Sequence, residues 1–274
     1  MKRIFLSFLT IFVLSTSLHA QTADEIIAKH IEATGGNEAY SKVKTAKMVG
    51  KTQVGPGMEA PISITSVNGK AFRMELTIQG MTMVQALNGD KGWAIIPFQG
   101  NPEPQPMTPE QVKEMSSQLD LTGDFYNYKV KGNQIELVGT DDMEGTEVYK
   151  LKVTKKDGTV VYHYFDKSTY YDLKATQKVT MQDKEMEAET TFSNYKKTNT
   201  GLLMPYTMGG DMSGDMQWTT IEINPAVDES IFNMPGAKVE PPAAPAKPAT
   251  PEKPAKPAKA PKKPKAPKAP KAKK

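Results

Sequence analysis

Phe72-Arg73-Met74-Glu75-Leu76-Thr77-Ile78-Gln79 alternates apolar and polar side chains without a break. Successive side chains of a strand point to opposite faces, so this period of two predicts a β-strand with one apolar and one wet face. Tyr149, Leu151 and Val153 alternate in the same way with Lys150, Lys152 and Thr154. Turn signals recur at Gly55-Pro56-Gly57, Asn68-Gly69, Asn88-Gly89, Asp157-Gly158 and Gly209-Gly210, and they predict hairpins. Counting runs between breaks gives about ten or eleven strands after Val43, mostly antiparallel.

Two helices interrupt this pattern. Thr22, with Glu25 three residues on, has the spacing of a capping box, and Ile26, Ile27, His30 and Ile31 fall on one face before Gly35-Gly36 ends the helix. Thr108-Pro109-Glu110-Gln111 sets a cap, a first-turn proline and a capping-box glutamine ahead of Val112, Met115 and Leu119. A helix inserted into a long meander has to pack somewhere, and this apolar stripe is predicted to cover the open face of the sheet. The stretch Pro97–Pro106 is too rich in proline for a strand and reads as a functional loop or lid hinge.

The chain has 274 residues with 35 basic and 31 acidic side chains, a net of +4. That balance averages three unlike segments. Residues 1–20 carry Lys2 and Arg3 and no acid; 238–274 carry 12 lysines against Glu240 and Glu252, a net of +10; 21–237 keep 21 bases against 29 acids, a net of −8. An acidic domain with a basic tail does not have the surface of a nucleic-acid-binding domain. Cysteine is absent, which excludes a disulfide framework, thiol catalysis and cysteine metal sites. His19 lies in the leader, leaving only His30 and His163, too few for an ordinary transition-metal enzyme. We expect no metal and no cofactor.

Met1-Lys2-Arg3, the apolar run Ile4–Leu14 and the small, polar end Ser15–Ala20 read as a secretory signal cleaved after Ala20. The run is too short to span a bilayer comfortably. With no cysteine at the cleavage site, the exported product is expected to be a soluble periplasmic protein rather than a lipid-anchored one, and a monomer. Residues 21–237 form the domain, long enough for one sizeable core. From Pro241 the chain is almost only Pro, Ala and Lys, holding 11 of the 21 prolines. Such a segment is expected to be disordered with polyproline II character. It is a solvated spacer, a tether to an anionic membrane surface, or a partner for the acidic domain.

Catalytic signatures are missing: there is no GxSxG, HExxH, P-loop or dinucleotide fingerprint. Asp141-Asp142-Met143-Glu144-Gly145 reads as a solvated hairpin turn, and Asp211–Asp215 lacks the acid density of a calcium loop. His163 reads as a cross-strand packing residue. Methionine stands out, with 15 of the 16 inside the domain. Met81 and Met83 share a strand face, and Met204, Met208, Met212 and Met216 recur every four residues. Core packing, an adaptable apolar cavity for alkyl ligands and thioether binding of copper(I) all fit this composition.

The order of features resembles a known family. Glu25–Gly36, Asn88-Gly89-Asp90-Lys91-Gly92-Trp93-Ala94-Ile95-Ile96-Pro97, Tyr164–Tyr170 and Ile223–Pro235 resemble, respectively, the first helix, a glycine–tryptophan–proline strand end, an aromatic-Asp hairpin and the closing Phe-x-x-Pro turn of LolA-like outer-membrane lipoprotein-sorting proteins, many from Bacteroidetes-type bacteria. The resemblance spans about residues 22–236 and excludes the tail. It implies a mainly β fold, an incurved antiparallel sheet forming a half-open β-barrel with helices covering the concave face, and an apolar cavity for acyl chains. It also implies a carrier of a lipid or acylated lipoprotein without catalysis, or else a periplasmic envelope-stress sensing module on the same fold. In that picture Phe72, Met74, Leu76, Ile78, Met81, Met83, Trp93 and Ile95 line the cavity, and Val112, Met115 and Leu119 face it from the lid.

Overall fold

The structure is a computed structural model that describes residues 21–181, 184–210 and 214–236. The expected signal, the basic tail and Met212 lie outside the described residues. Capping by Thr22 and Glu25 starts helix α1 (Ala23–Ala33) as the sequence requires. A short helix α2 (Gly36–Ser41) follows, entered through Gly35 and Gly36 at φ of 135° and 81°. Six strands come next: β1 (Thr45–Gly55), β2 (Met58–Val67), β3 (Ala71–Ile78), β4 (Met81–Asn88), β5 (Lys91–Ile96) and β6 (Asn101–Pro106). A connecting strap holds helix α3 (Pro109–Met115), a 3₁₀ turn at Ser116–Leu119 and the single-turn α4 (Tyr128–Lys131). Seven more strands complete the sheet: β7 (Gln134–Met143), β8 (Thr146–Thr154), β9 (Val160–Asp166), β10 (Asp172–Met181), β11 (Lys184–Lys197), β12 (Leu203–Gly210) and β13 (Met216–Ile223).

All thirteen belong to one antiparallel sheet in the order β6-β5-β4-β3-β2-β1-β13-β12-β11-β10-β9-β8-β7. Every neighbour is also a neighbour in sequence, except where β1 meets β13. Strands β6 and β7 are the two edges, so the sheet is an open half-barrel rather than a closed one. The count exceeds the ten or eleven expected, and one source is β6. Met107 N–H donates to the Gly92 carbonyl (2.9 Å) and Ala94 pairs with Gln105. Odd-numbered residues therefore face β5, and Pro102, Pro104 and Pro106 occupy the outward positions where no N–H is needed. Proline density excludes a central strand but permits this edge. Gly209-Gly210 likewise closes β12 instead of forming a turn of its own.

One face of the sheet, here called inner, carries the helices. Ile26, Ile27 and Ile31 of α1 pack on Leu151 and Phe165, all at most 6% exposed. A second cluster joins Val43, Ala46, Ile62, Leu202, Tyr206, Trp218, Ile221 and Ile223 under Ala39, Tyr40 and Leu121. The strap crosses this same face. The Leu119 carbonyl accepts from Gly69 N–H (2.7 Å), Leu121 N–H donates to Asn68 Oδ1 (3.0 Å), Tyr126 stacks on Tyr40, and Phe125 packs edge-on against Phe165.

The outer face of β3–β5 is also covered. Val84, Ala86 and Trp93 form a third cluster, joined by Met234 of the C-terminal segment. The Trp93 indole donates to the Phe232 carbonyl (2.8 Å), Arg73 donates to the Ile231 carbonyl (2.8 Å) and lies over the Trp93 ring, and Lys70 pairs with Glu229. Phe232 itself is 1% exposed. Phe232→Ala should therefore cost about 3–5 kcal/mol, read as a lowered urea midpoint. Phe98→Ala, at a ring 44% exposed, should change stability by about 0.5 kcal/mol or less.

Candidate functional site

Strand register arranges the inner face in rows that cross the sheet. One row runs Ile223, Ala46, Ser66, Phe72, Leu87, Gly92; the next runs Ile221, Met48, Ile64, Met74, Gln85, Ala94. A third runs Trp218, Gly50, Ile62, Leu76, Met83. Beyond it lie Met208, Met216, Thr52 and Ala60, and the cross-strand pair Ile78 and Met81. The first row is closed: every side chain from Ile223 to Leu87 is at most 5% exposed. Opening begins at the second row, where Met48, Ile64, Met74 and Gln85 are half-buried, and continues through Leu76, Met83 and Ile78 to the exposed Met81.

Seven methionines, Met48, Met74, Met81, Met83, Met204, Met208 and Met216, thus share one apolar, partly open surface. The spacing of four between Met204 and Met216 is not one continuous face. Met204 and Met208 stand on β12, and the hairpin brings Met216 of β13 directly opposite Met208. Thioether side chains have three rotatable bonds and no fixed shape, so such a wall can adapt to an irregular apolar guest.

Helix α3 closes one end. Its capping box forms between Thr108 and Gln111, and Val112, Met115 and Leu119 are half-buried while their neighbours are exposed. The lid stripe is therefore turned toward the sheet. Gly92 permits the approach: a Cβ there would come within 3.1 Å of Val112 Cγ2 and 2.7 Å of Met107 Sδ. Between helix and sheet lies a cavity of about 450 Å³, lined by Gln85, Ala94, Ile96, Gln105, Pro106, Met107, Gln111, Glu114 and Met115.

Six of the eight expected wall residues share the inner face: Phe72, Met74, Leu76, Ile78, Met81 and Met83. Trp93 and Ile95 do not. Trp93 pairs with Ala86, which pairs with Arg73, so both lie on the outer face with the C-terminal cover. Strand β5 is apolar on both sides and alternation alone could not orient it. The two-residue turn Gly89-Asp90, with Asn88 opposite Lys91, carried the missing information. Met48, Ile64, Ala94, Ile96 and Trp218 belong to the inner face and were not anticipated. Their signal was present in Ala46/Met48 against Lys47, and in Met216, Trp218, Ile221 and Ile223, whose break in period marks the bulge opposite Val49 and Gly50.

The two described buried histidines lie on the other wing. His163 Nδ1–H donates to Asp172 Oδ2 (2.7 Å), both residues being buried, and the Phe125 ring packs edge-on against His163 and His30. Asp124 sits 4.0 Å from His163 Nε2 and pairs with Lys155 at 2.9 Å. Both histidines are packing residues, as expected, but His163 has a carboxylate partner that sequence spacing could not show. Among the described residues no group of three or more His, Asp or Glu could hold a metal ion. Asp141 and Asp142 are exposed at the end of β7, Glu144-Gly145 make the hairpin turn, and Asp211–Ser213 fall outside the described residues.

Burial holds the His30 imidazole below its ordinary pKa of 6.5, although the Tyr170 carbonyl and the Asp172 charge favour the cation. The unfolded chain takes up this proton at a higher pH than the folded chain, so stability falls as pH drops through about 6.5. His30→Gln, which cannot titrate, should flatten the decline in urea midpoint between about pH 7 and 5. An unchanged slope would assign the decline to other groups.

No protein-family model and no curated protein matches the sequence. Several solved structures are similar to it. A DUF1329 family protein from Desulfovibrio piger superposes with a TM-score of 0.51 at 12% identity, covering 78% of this chain and 98% of that one. A LolA superfamily protein from Nitrosomonas europaea follows at 0.49 and 14%, with the same coverage. An outer membrane lipoprotein-sorting protein domain from Vibrio parahaemolyticus gives 0.45 and 15%, covering 77% and 96%. The chain shares the fold of the Desulfovibrio piger protein: an antiparallel sheet left open, with helices lying on its inner face.

Proposed function

We propose that this chain is a non-catalytic periplasmic carrier that shelters the acyl chains of a lipid or an acylated lipoprotein. The observation that carries the proposal is the second and third rows of the inner face. Their Met48, Ile64, Met74, Leu76 and Met83 are apolar and half-buried, while the first row and the outer face beside them are sealed. Each methylene moved from water onto such a wall contributes roughly 0.8 kcal/mol, so a few buried chains supply the affinity, and the adaptable wall needs no single cargo shape. In this reading α3 is the lid, with Val112, Met115 and Leu119 exchanging against the guest.

The remaining assignments follow from export. Residues 1–20 direct secretion and are removed after Ala20; 21–237 carry the cargo as a monomer. The lysines of 238–274 give transient contact with anionic headgroups, each worth about 1 kcal/mol near such a surface. No helix of the described residues is long and apolar enough to cross a membrane.

Native mass spectrometry of the purified protein, followed by organic extraction, tests the carrier reading. Co-purifying lipid or lipopeptide is expected, and a stoichiometric copper(I) load in its place would overturn it. Leu76→Glu puts a charge in the middle of the third row and should lower acyl-chain capture about tenfold or more while the circular dichroism spectrum is retained. Unchanged capture would remove that row from the site. Deletion of 238–274 should leave capture intact and weaken binding to phosphatidylglycerol vesicles at low salt. Equal vesicle binding would leave the tail a spacer.

A further inference from the structure

The chain has two tryptophans, and their indole N–H groups are treated differently. That of Trp93 is satisfied by the Phe232 carbonyl on the outer face. Trp218, 5% exposed on the inner face, has an indole N–H that is buried and finds no acceptor among the described residues. A buried donor without a partner keeps the cost of leaving water and recovers nothing. Such groups in a native structure call for a reason.

The surroundings supply one. Trp218 heads the third row, and its neighbour across the β1–β13 seam is Gly50, which offers no side chain. Nothing larger fits there, because a Cβ on Gly50 would lie 2.2 Å from the Gln217 carbonyl oxygen. The side chains packed around this cluster include Met48, Met204 and Met216, all only partly buried. They are flexible and can move aside for a guest. From Trp218 the row continues through Ile62 and Leu76 to Met83, four strand spacings or about 19 Å, as an apolar track.

We propose that Trp218 is the polar anchor of the acyl site: its indole N–H donates to the carbonyl oxygen of a lipid acyl ester, whose hydrocarbon lies along the third row. This deepens the carrier reading and rests on it. A neutral ester suits a neutral indole N–H donor better than a free carboxylate does, since a buried anion would need a cation beside it. The anchor would also select acylated molecules over hydrocarbon of equal length.

The test compares methyl palmitate with hexadecane, each delivered from cyclodextrin to the full chain and to Trp218→Phe. The variant keeps an aromatic ring and loses the donor together with part of the indole's volume, so hexadecane serves as the control for the lost packing. Methyl palmitate should bind about tenfold more weakly to Trp218→Phe, with hexadecane affinity unchanged. In ¹⁵N-labelled parent protein the Trp218 Nε1–H resonance should move downfield with the ester and not with hexadecane, while that of Trp93 stays in place as the internal reference. Equal loss for both probes, or no loss for either, overturns the anchor and leaves the carrier reading standing. Failure of the parent protein to bind either probe overturns both.

Discussion

The pairing of β1 with β13 holds the two halves of the sheet together. All other strand pairs are between sequence neighbours and could form locally; this one joins Ala46 to Ile223 and Thr52 to Met216 across most of the domain. Side chains reinforce the seam. Asn224 Oδ1 accepts from Lys44 and Thr45 N–H (2.8 and 3.4 Å), its amide donates to the Lys42 carbonyl (3.0 Å), and Thr45 Oγ1 donates to the Pro225 carbonyl (2.8 Å). Closing so long a loop costs entropy before any contact repays it. The inner rows exist as continuous tracks only because the seam sets the register of one meander against the other.

Much of the architecture was legible from local chemistry. The capping boxes at Thr22/Glu25 and Thr108/Gln111, the alternation of Phe72–Ile78 and the hairpins at Asn68-Gly69 and Asn88-Gly89 each specify their element within a few residues. What could not be read locally falls into two kinds. Strands buried on both sides, such as β5, hide their orientation because neither face is polar; Trp93 and Ile95 were placed on the wrong side for that reason. Contacts made across the sheet, such as His163 with Asp172 or Trp218 beside Gly50, depend on register and bulges. The seven-methionine surface was half visible: the abundance is plain in composition, but its gathering on one face needed the hairpin between β12 and β13.

The two faces of β3–β5 solve opposite problems. The outer face must never open, and it is locked by groups that are individually satisfied: Trp93 on Phe232, Arg73 on Ile231, Asn88 on Asn233 (2.9 Å). The inner face is held by side chains of adaptable shape and by a helix lying over a glycine. Rigidity is concentrated on the outer face, and adaptable side chains on the face that α3 crosses.

The edges differ as much as the faces. Strand β7 has a bulge between Leu137 and Gly139, an exposed Val138, and the acids Asp141 and Asp142 along its free side, features that discourage a flat, regular pairing. On β6, alternate prolines remove the outward donors altogether. A second half-barrel arriving edge-on would find a mute row of carbonyls on one flank and a kinked, acidic one on the other. An open sheet of thirteen strands would otherwise be a template for linear polymerisation. Here the unpaired margins are chemically blunted, and the barrel can remain open without growing.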